Sequence, residues 1–465
     1  MRRRAALFPA FLLLLSCGPG PGRDTGQARH VILFIGDGMQ MENEVAASRY
    51  LYGRDEGLSW HSFPHRCHVV TWDVTSYDAY AAALGAAAFE EAGADPLVGF
   101  DPARGGSAPF PVDRGGDAAY LLFSATDSAA AATAMATGVK TEAGRVSWRR
   151  GDPAGGALQT FPERFRSATG ASVGVVTTVP FNHATPAAFV AHGPDRGDYA
   201  GLASQILSVA GPEVAVGGGH PGWNAAYFTA AALEAARAEA GLVIVERTAG
   251  RDGGAALRAA ADGLPGGARL LGLFGGADGA FELEGGSAGE NPGLADAVVA
   301  ALTVLSRDGD GLFLMAEQGD VDWANHQNDY ARMIRAMAGL EAAVRAAVSY
   351  VERPDDAMDW SNTLLVVTAD HATGLVRLTD APALGAGALP AQVQDAAAAW
   401  SYPGGEVTYG SRGHTNEPVT LSAMGAGSGL VESLAGLRYP GTRLIDDTDV
   451  YRILAGAVGA EWSDP

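Results

Sequence analysis

The segment His30-Val-Ile-Leu-Phe-Ile-Gly36, followed at once by Asp37, decides the fold. A short unbroken apolar run ending in Gly describes a strand buried on both faces. Burial of both faces arises when helices cover the two sides of a parallel sheet. Comparable runs recur at Ser172–Thr177, Leu242–Glu246, Arg269–Phe274, Gly311–Ala316 and Thr363–Ala369. Helical patterns fall between them, over Ser128–Thr137, Ala230–Ala240, Gly293–Ser306 and Asp329–Val351. The alternation predicts an α/β fold, a three-layer α/β/α sandwich around a central, mainly parallel sheet. No internal repeat or linker divides residues 30–465, which read as one domain. Residues 52–120 and 376–412 are Ala-, Gly- and Pro-rich and fit the alternation poorly. Both read as insertions or covering loops, where substrate selection often resides.

The start of the chain is of another kind. Arg2, Arg3 and Arg4 precede an apolar run, Ala5–Leu15, of signal-peptide length and too short to span a bilayer comfortably. Leu14-Leu15-Ser16-Cys17 resembles a bacterial lipobox, so residues 1–17 are expected to be a lipoprotein signal with Cys17 lipidated. A plain cleaved signal is the other reading. Residues 18–29, opening with Gly and Pro, serve as a flexible tether. The expectation is export, to the periplasm or as an outer-membrane or cell-surface lipoprotein of a bacterium, with membrane contact only through the lipid. With Cys17 acylated, Cys67 has no partner and the domain folds without a disulfide. The net charge of −21 argues against nucleic-acid partners. An anionic substrate would need a site with positive charge of its own.

Three of the apolar runs lead straight into an acid: Asp37 after HVILFIG, Glu317 after GLFLMA and Asp370 after TLLVVTA. Ligands of open α/β sheets bind in the crevice at the carboxyl ends of strands. Each acid alone would read as a solvated loop residue. Three converging carboxylates repel one another unless a cation lies between them. Ligand types stand beside them. Asp322 and His326 are four apart, on one face of a helical turn. His371 follows Asp370, and His414 sits in a turn-flanked Arg-Gly-His-Thr loop. Mixed imidazole and carboxylate ligation suits zinc, and an all-oxygen set with a hydroxyl suits magnesium.

Ser128 opens the helical run SAAAATAMAT that ends at Gly138. It reads either as a helix-capping serine or as a nucleophile whose developing charge, like a phosphate, is favoured by the helix N-terminus. The residues alone leave both readings open. His61, His65, Cys67 and His68 in HSFPHRCH have metal-like spacing, though packed histidines in a covering loop are commoner. His30, His192 and His220 read as structural.

Six segments occur in order: IGDGM (35–39), TDSAAAATAMATGVKT (126–141), HATPAAFVAH (183–192), EQGDVDWANH (317–326), TADH (368–371) and GHT (413–415). Together they resemble the alkaline phosphatase family over nearly all of residues 30–425. The resemblance implies hydrolysis of small phosphate monoesters through a phosphoserine on Ser128. It implies two Zn2+ and one Mg2+ per chain. One zinc would take Asp322, His326 and His414, and the other Asp370, His371 and Asp37. Magnesium would take Asp37, Thr185 and Glu317. Arg196 matches the family arginine that grips two phosphate oxygens. Asp127, His183 and Trp323 stand just behind these groups. The resemblance is compatible with a homodimer.

Departures from the pattern are Gln40, where Gly commonly follows GDGM; His183, which can tilt the magnesium site toward zinc; and Trp323, where relatives carry Lys or His and which adds an apolar wall. A phosphodiesterase of the same superfamily usually lacks the magnesium set and the arginine. A non-catalytic phosphate-binding lipoprotein would have no use for a nucleophile. A sulfatase needs a different motif around its modified residue.

Overall fold

The computed structural model describes residues 27–107, 117–151, 154–208, 211–281, 288–354, 357–395 and 400–460. The expected signal, Cys17, residues 18–26 of the tether and residues 108–116 of the 52–120 region lie outside the described residues.

Among the described residues, ten strands form one sheet: β1 (His30–Gly36), β2 (His65–Val70), β3 (Ser172–Pro180), β4 (Val214–Gly218), β5 (Leu242–Glu246), β6 (Arg269–Leu273), β7 (Leu312–Gln318), β8 (Thr363–Thr368), β9 (Val419–Gly425) and β10 (Leu444–Asp446). Their order is β10-β2-β9-β8-β1-β7-β3-β4-β6-β5. All neighbours pair in parallel except β9, antiparallel to both β8 and β2. Every residue of β1, β7 and β8 is buried, as the unbroken apolar runs predict.

Helices cover both faces. On one lie α1 (Met41–Tyr52), α5 (Leu294–Leu305) and α7 (Tyr330–Val351), with α7 packed on β1 and β7. On the other lie α2 (Ser128–Thr137), α3 (Phe161–Thr169), α4 (Ala184–Val190) and α8 (Asp447–Ala457), with α2 packed on α4 and α8. The short α6 (Asp320–His326) follows β7 across a tight turn. The result is the expected α/β/α sandwich, and the predicted strands and helices are found within a few residues of their expected bounds.

The 52–120 region differs from expectation. Its HRCHVV segment is β2, an internal strand of the sheet rather than part of a covering loop. The helix Val74–Leu84 and an aromatic cluster around Trp72, Tyr77, Phe89, Phe100 and Tyr120 accompany it. The histidines there do not converge on a metal position. The His61 ring bonds buried Glu44 at 2.9 Å, while His65 and His68 stand three apart on β2 and so face opposite sides. The alternation in HRCH is weak, so the strand was legible only once β9 was known to flank it. Region 376–412 does hold short hairpins, with Val376–Leu378 paired to Val407–Tyr409.

Candidate active site and metal centre

Sheet register brings the acids together. In the parallel ladders Ile35 lies opposite both Glu317 and Thr368, and Thr177 lies opposite Glu317. Asp37 and Asp370, each two residues further along its strand, therefore emerge at one level of the carboxyl edge. Gly38 lets α6 approach: its φ is +68°, and a Cβ there would meet Asp322 atoms at 2.7–2.8 Å.

Two groups of metal-ligand type form at this edge. In the first, the Asp322, His326 and His414 ligand atoms lie within 4.8 Å of one another, and in the second so do those of Asp37, Asp370 and His371. These two are the groups of this kind found among the described residues. The helical spacing read from sequence holds, with His326 Nε2 3.1 Å from Asp322 Oδ2. His326 Nδ1 faces the Arg412 carbonyl at 2.5 Å and His414 Nδ1 faces the Thr126 carbonyl at 2.8 Å. A carbonyl accepts only, so each Nδ1 carries a proton and each Nε2 is turned toward the other ring. Those two Nε2 atoms are 3.2 Å apart. Something positive has to sit between them, a proton or a metal ion. In the second group His371 Nε2 lies 3.5 Å from Asp37 and 3.3 Å from Asp370.

The third expected set also converges. Thr177 donates to Glu317, and Thr185 and Asp37 lie beside the same carboxylate. Both carboxylate oxygens of Asp37, one each of Glu317 and Asp370, and the Thr185 hydroxyl are buried without a hydrogen-bond partner. Unpaired buried oxygens in this number are too costly to be a packing accident, and they are the donors a divalent cation takes. The residues fit divalent cations of the kind that the family resemblance implies.

Electrostatics agrees. Burial, then the charges of Asp370, Asp322 and Glu317, push the Asp37 carboxyl well above its usual range. Burial lifts Asp370 to about 8 and Glu317 to about 7, against the hydrogen bonds each receives. Burial also pushes Asp322 up, but its bond to His326 and the charges of His414, His326 and His371 outweigh it and hold this carboxyl well below the ordinary range. Burial lowers His326, yet the same bond prevails and lifts it to about 9. The cluster seeks positive charge from any source.

Ser128 sits at the seam. Its Oγ is 3.1 Å from His371 Nε2. The helix cap is Asp127, whose Oδ1 accepts from the Ala130 N–H at 3.0 Å. Ser128 is thus released from the capping duty that its position suggested, and its hydroxyl stands at the positive end of α2. Asp127 also holds Arg196, whose Nη1 donates to Asp127 Oδ2 at 2.8 Å. Burial depresses Arg196, but Asp127 and Asp37 overcome it, and the guanidinium stays firmly charged. Arg196 Nη2 lies 3.4 Å from His183 Nε2, and the His183 ring lies 6.0 Å from that of Trp323. Burial and then Arg196 drop His183 to about 3, so it is neutral, with its Nδ1 buried and unpartnered. Every expected site residue within the described chain lies at this one edge.

Several contributors had no sequence signal. Thr373 donates to Asp322 Oδ1 at 2.6 Å, and Thr177 bonds Glu317. Asn182 Nδ2 donates at 2.8 Å to the carbonyls of both Tyr199 and Tyr227. Only the position of Asn182 next to His183 could have drawn attention to it.

A three-layer α/β sandwich with two imidazole–carboxylate clusters at its strand ends, beside a helix-terminal serine, defines the class as an α/β protein built around a candidate metal centre. Comparison with known proteins narrows it. The profile of the alkaline phosphatase family matches residues 111–221 and 258–427, and the chain belongs to that family. Alkaline phosphatase 4 of Bacillus subtilis is 32% identical over 257 residues, covering 54% of this chain and 50% of the relative. The chain thus spans about half the length of that relative. Streptomycin-6-phosphate phosphatase of Streptomyces griseus is 28% identical over 511 residues, 98% of this chain and 97% of the relative. Among solved structures, Thermus thermophilus alkaline phosphatase superposes with a TM-score of 0.63 at 23% identity, over 95% of this chain and 93% of that one. The enzyme from the Antarctic bacterium TAB5 gives 0.62 at 18%, over 94% and 99%. These two likenesses concern the fold alone.

Proposed function

We propose that the protein hydrolyses phosphate monoesters of small organic alcohols by transferring the phosphoryl group to Ser128 and then to water. The observation that carries this reading is the Ser128 hydroxyl, 3.1 Å from a ligand-type imidazole and at the seam of the two clusters. Two zinc ions would be held by Asp322, His326 and His414 and by Asp37, Asp370 and His371, and one magnesium by Asp37, Thr185 and Glu317. Such ions act as Lewis acids, lowering the pKa of a hydroxyl and drawing charge from phosphoryl oxygens. The chain's own residues do the rest. Arg196, held by Asp127, presents a guanidinium fork suited to two phosphate oxygens. The N-terminus of α2 favours the charge that develops at Ser128 Oγ as it attacks phosphorus in line with the leaving oxygen. Phosphoryl transfer depends chiefly on positioning and charge stabilisation, the two things this arrangement provides. The relative named for streptomycin-6-phosphate supports a small phosphorylated metabolite as substrate. We further propose export and anchoring through lipidated Cys17.

The test is turnover of a chromogenic phosphate monoester and of the matching diester at alkaline pH, with chelator and with zinc and magnesium restored. Chelator-sensitive monoester hydrolysis is expected. Chelator-resistant activity, or clear preference for the diester, would overturn the reading.

A further inference from the structure

Beyond the ligand-type residues, the site carries an aromatic rim with no role in the chemistry above. His183, beside Arg196, has three aromatic neighbours: Trp323 at 6.0 Å, Tyr227 at 6.5 Å and Tyr199, nearly parallel to it, at 6.5 Å. The rings of Tyr199 and Tyr227 are 4.9 Å apart. All three neighbours are half-buried. The arrangement is built rather than incidental. One buried amide, Asn182, holds the backbones of both tyrosines at 2.8 Å, although they lie on separate segments. Trp323 is fixed by α6 directly after Asp322.

The charge around this rim is negative. Arg196 is paired with Asp127 and Arg332 with buried Asp320. That leaves Asp278, half exposed and 3.1 Å from Arg332, and the exposed Asp195 and Asp198, which adjoin Arg196 and Tyr199 in sequence and accept from the N–H groups of Gly197 and Gly201. Asp278 acts electrostatically on Tyr227, as does Arg196. Aromatic faces attract cations through their quadrupole, and surrounding carboxylates reinforce that attraction.

Resting on the phosphatase reading, we propose that Tyr199, Tyr227 and Trp323 bind the alcohol part of the ester, and that this part is an organic cation such as a quaternary ammonium or a guanidinium. Arg196 then takes the phosphate and the rim takes the opposite charge, so the substrate is a zwitterion read at both ends. A neutral alcohol of the same shape would gain burial but no cation–π attraction.

Phosphocholine and its neutral carbon isostere, in which a tert-butyl group replaces the trimethylammonium, differ in that charge alone. The metal-loaded protein is expected to prefer phosphocholine by about tenfold in kcat/KM, a difference carried by KM. Tyr199→Ala and Tyr227→Ala should each reduce the preference several-fold, whereas Tyr227→Phe, which keeps the ring face, should retain it. Equal or better hydrolysis of the isostere, or a preference unchanged in both alanine variants, overturns the inference and leaves the phosphatase reading standing. Failure to turn over either ester or a chromogenic monoester overturns both.

Discussion

Stripping cations from the site should make the stability of the protein fall steeply as pH rises. Asp37, Glu317, Asp322 and Asp370 are buried in one pocket. Two unit charges about 4 Å apart repel by roughly 4 kcal/mol at the effective dielectric of a protein. The chelated chain relieves this by holding protons: burial, with the charges of Asp322 and Glu317, lifts Asp370 to about 8, and burial lifts Glu317 to about 7. The unfolded chain releases those protons near pH 4. Between about pH 4 and pH 8 the folded state therefore binds more protons than the unfolded one, and stability drops as pH climbs. For Asp370 alone, displacement from 3.8 to about 8 amounts to roughly 6 kcal/mol across that window. At about 2 cal/mol/K of unfolding entropy per residue, a chain of this length loses roughly 1 °C per kcal/mol, so Tm should fall by about 5–10 °C. Scanning calorimetry of chelated protein at pH 5 and pH 8.5 (roughly the ends of the window) measures this. Zinc and magnesium should raise Tm at the upper pH and flatten the profile. Asp370→Asn should remove much of the slope from the chelated protein. A chelated protein as insensitive to pH as the metal-loaded one would refute the reasoning.

Other consequences can be checked separately. Ser128→Ala should lower kcat by at least about a thousandfold with the fold intact, and it should abolish radiolabelling from phosphate-labelled substrate, read by gel autoradiography. Arg196→Ala should cut kcat/KM by roughly a hundredfold, in line with about 3 kcal/mol for a charge-assisted contact, and Arg196→Lys should recover only part of it in steady-state kinetics. His326→Ala should cost one equivalent of zinc per chain by elemental analysis, because two remaining ligands cannot complete a four-coordinate site. Cys17→Ala should move the protein from the membrane fraction to the soluble one on cell fractionation.

The chemistry of the site was legible before any geometry because it depends on residue type at strand ends and at helical spacing. Asp37, Glu317 and Asp370 each follow an apolar run, and Asp322 with His326 spans one helical turn. Such patterns are local, and local patterns survive folding. β2 was illegible for the opposite reason, since its polar HRCH start is compatible with a sheet only when β9 lies against it. The facing Nε2 atoms of His326 and His414, the reach of His414 to the Thr126 carbonyl and the Asn182 clamp join segments up to 288 residues apart. The amino-acid order by itself determined the layered fold and the inventory of ligands and nucleophile. Tertiary structure alone decided how those groups meet, because strand register and the close approach at Gly38 set distances that no stretch of chain encodes locally. It alone also decided that aromatic rings from three separate segments line the site.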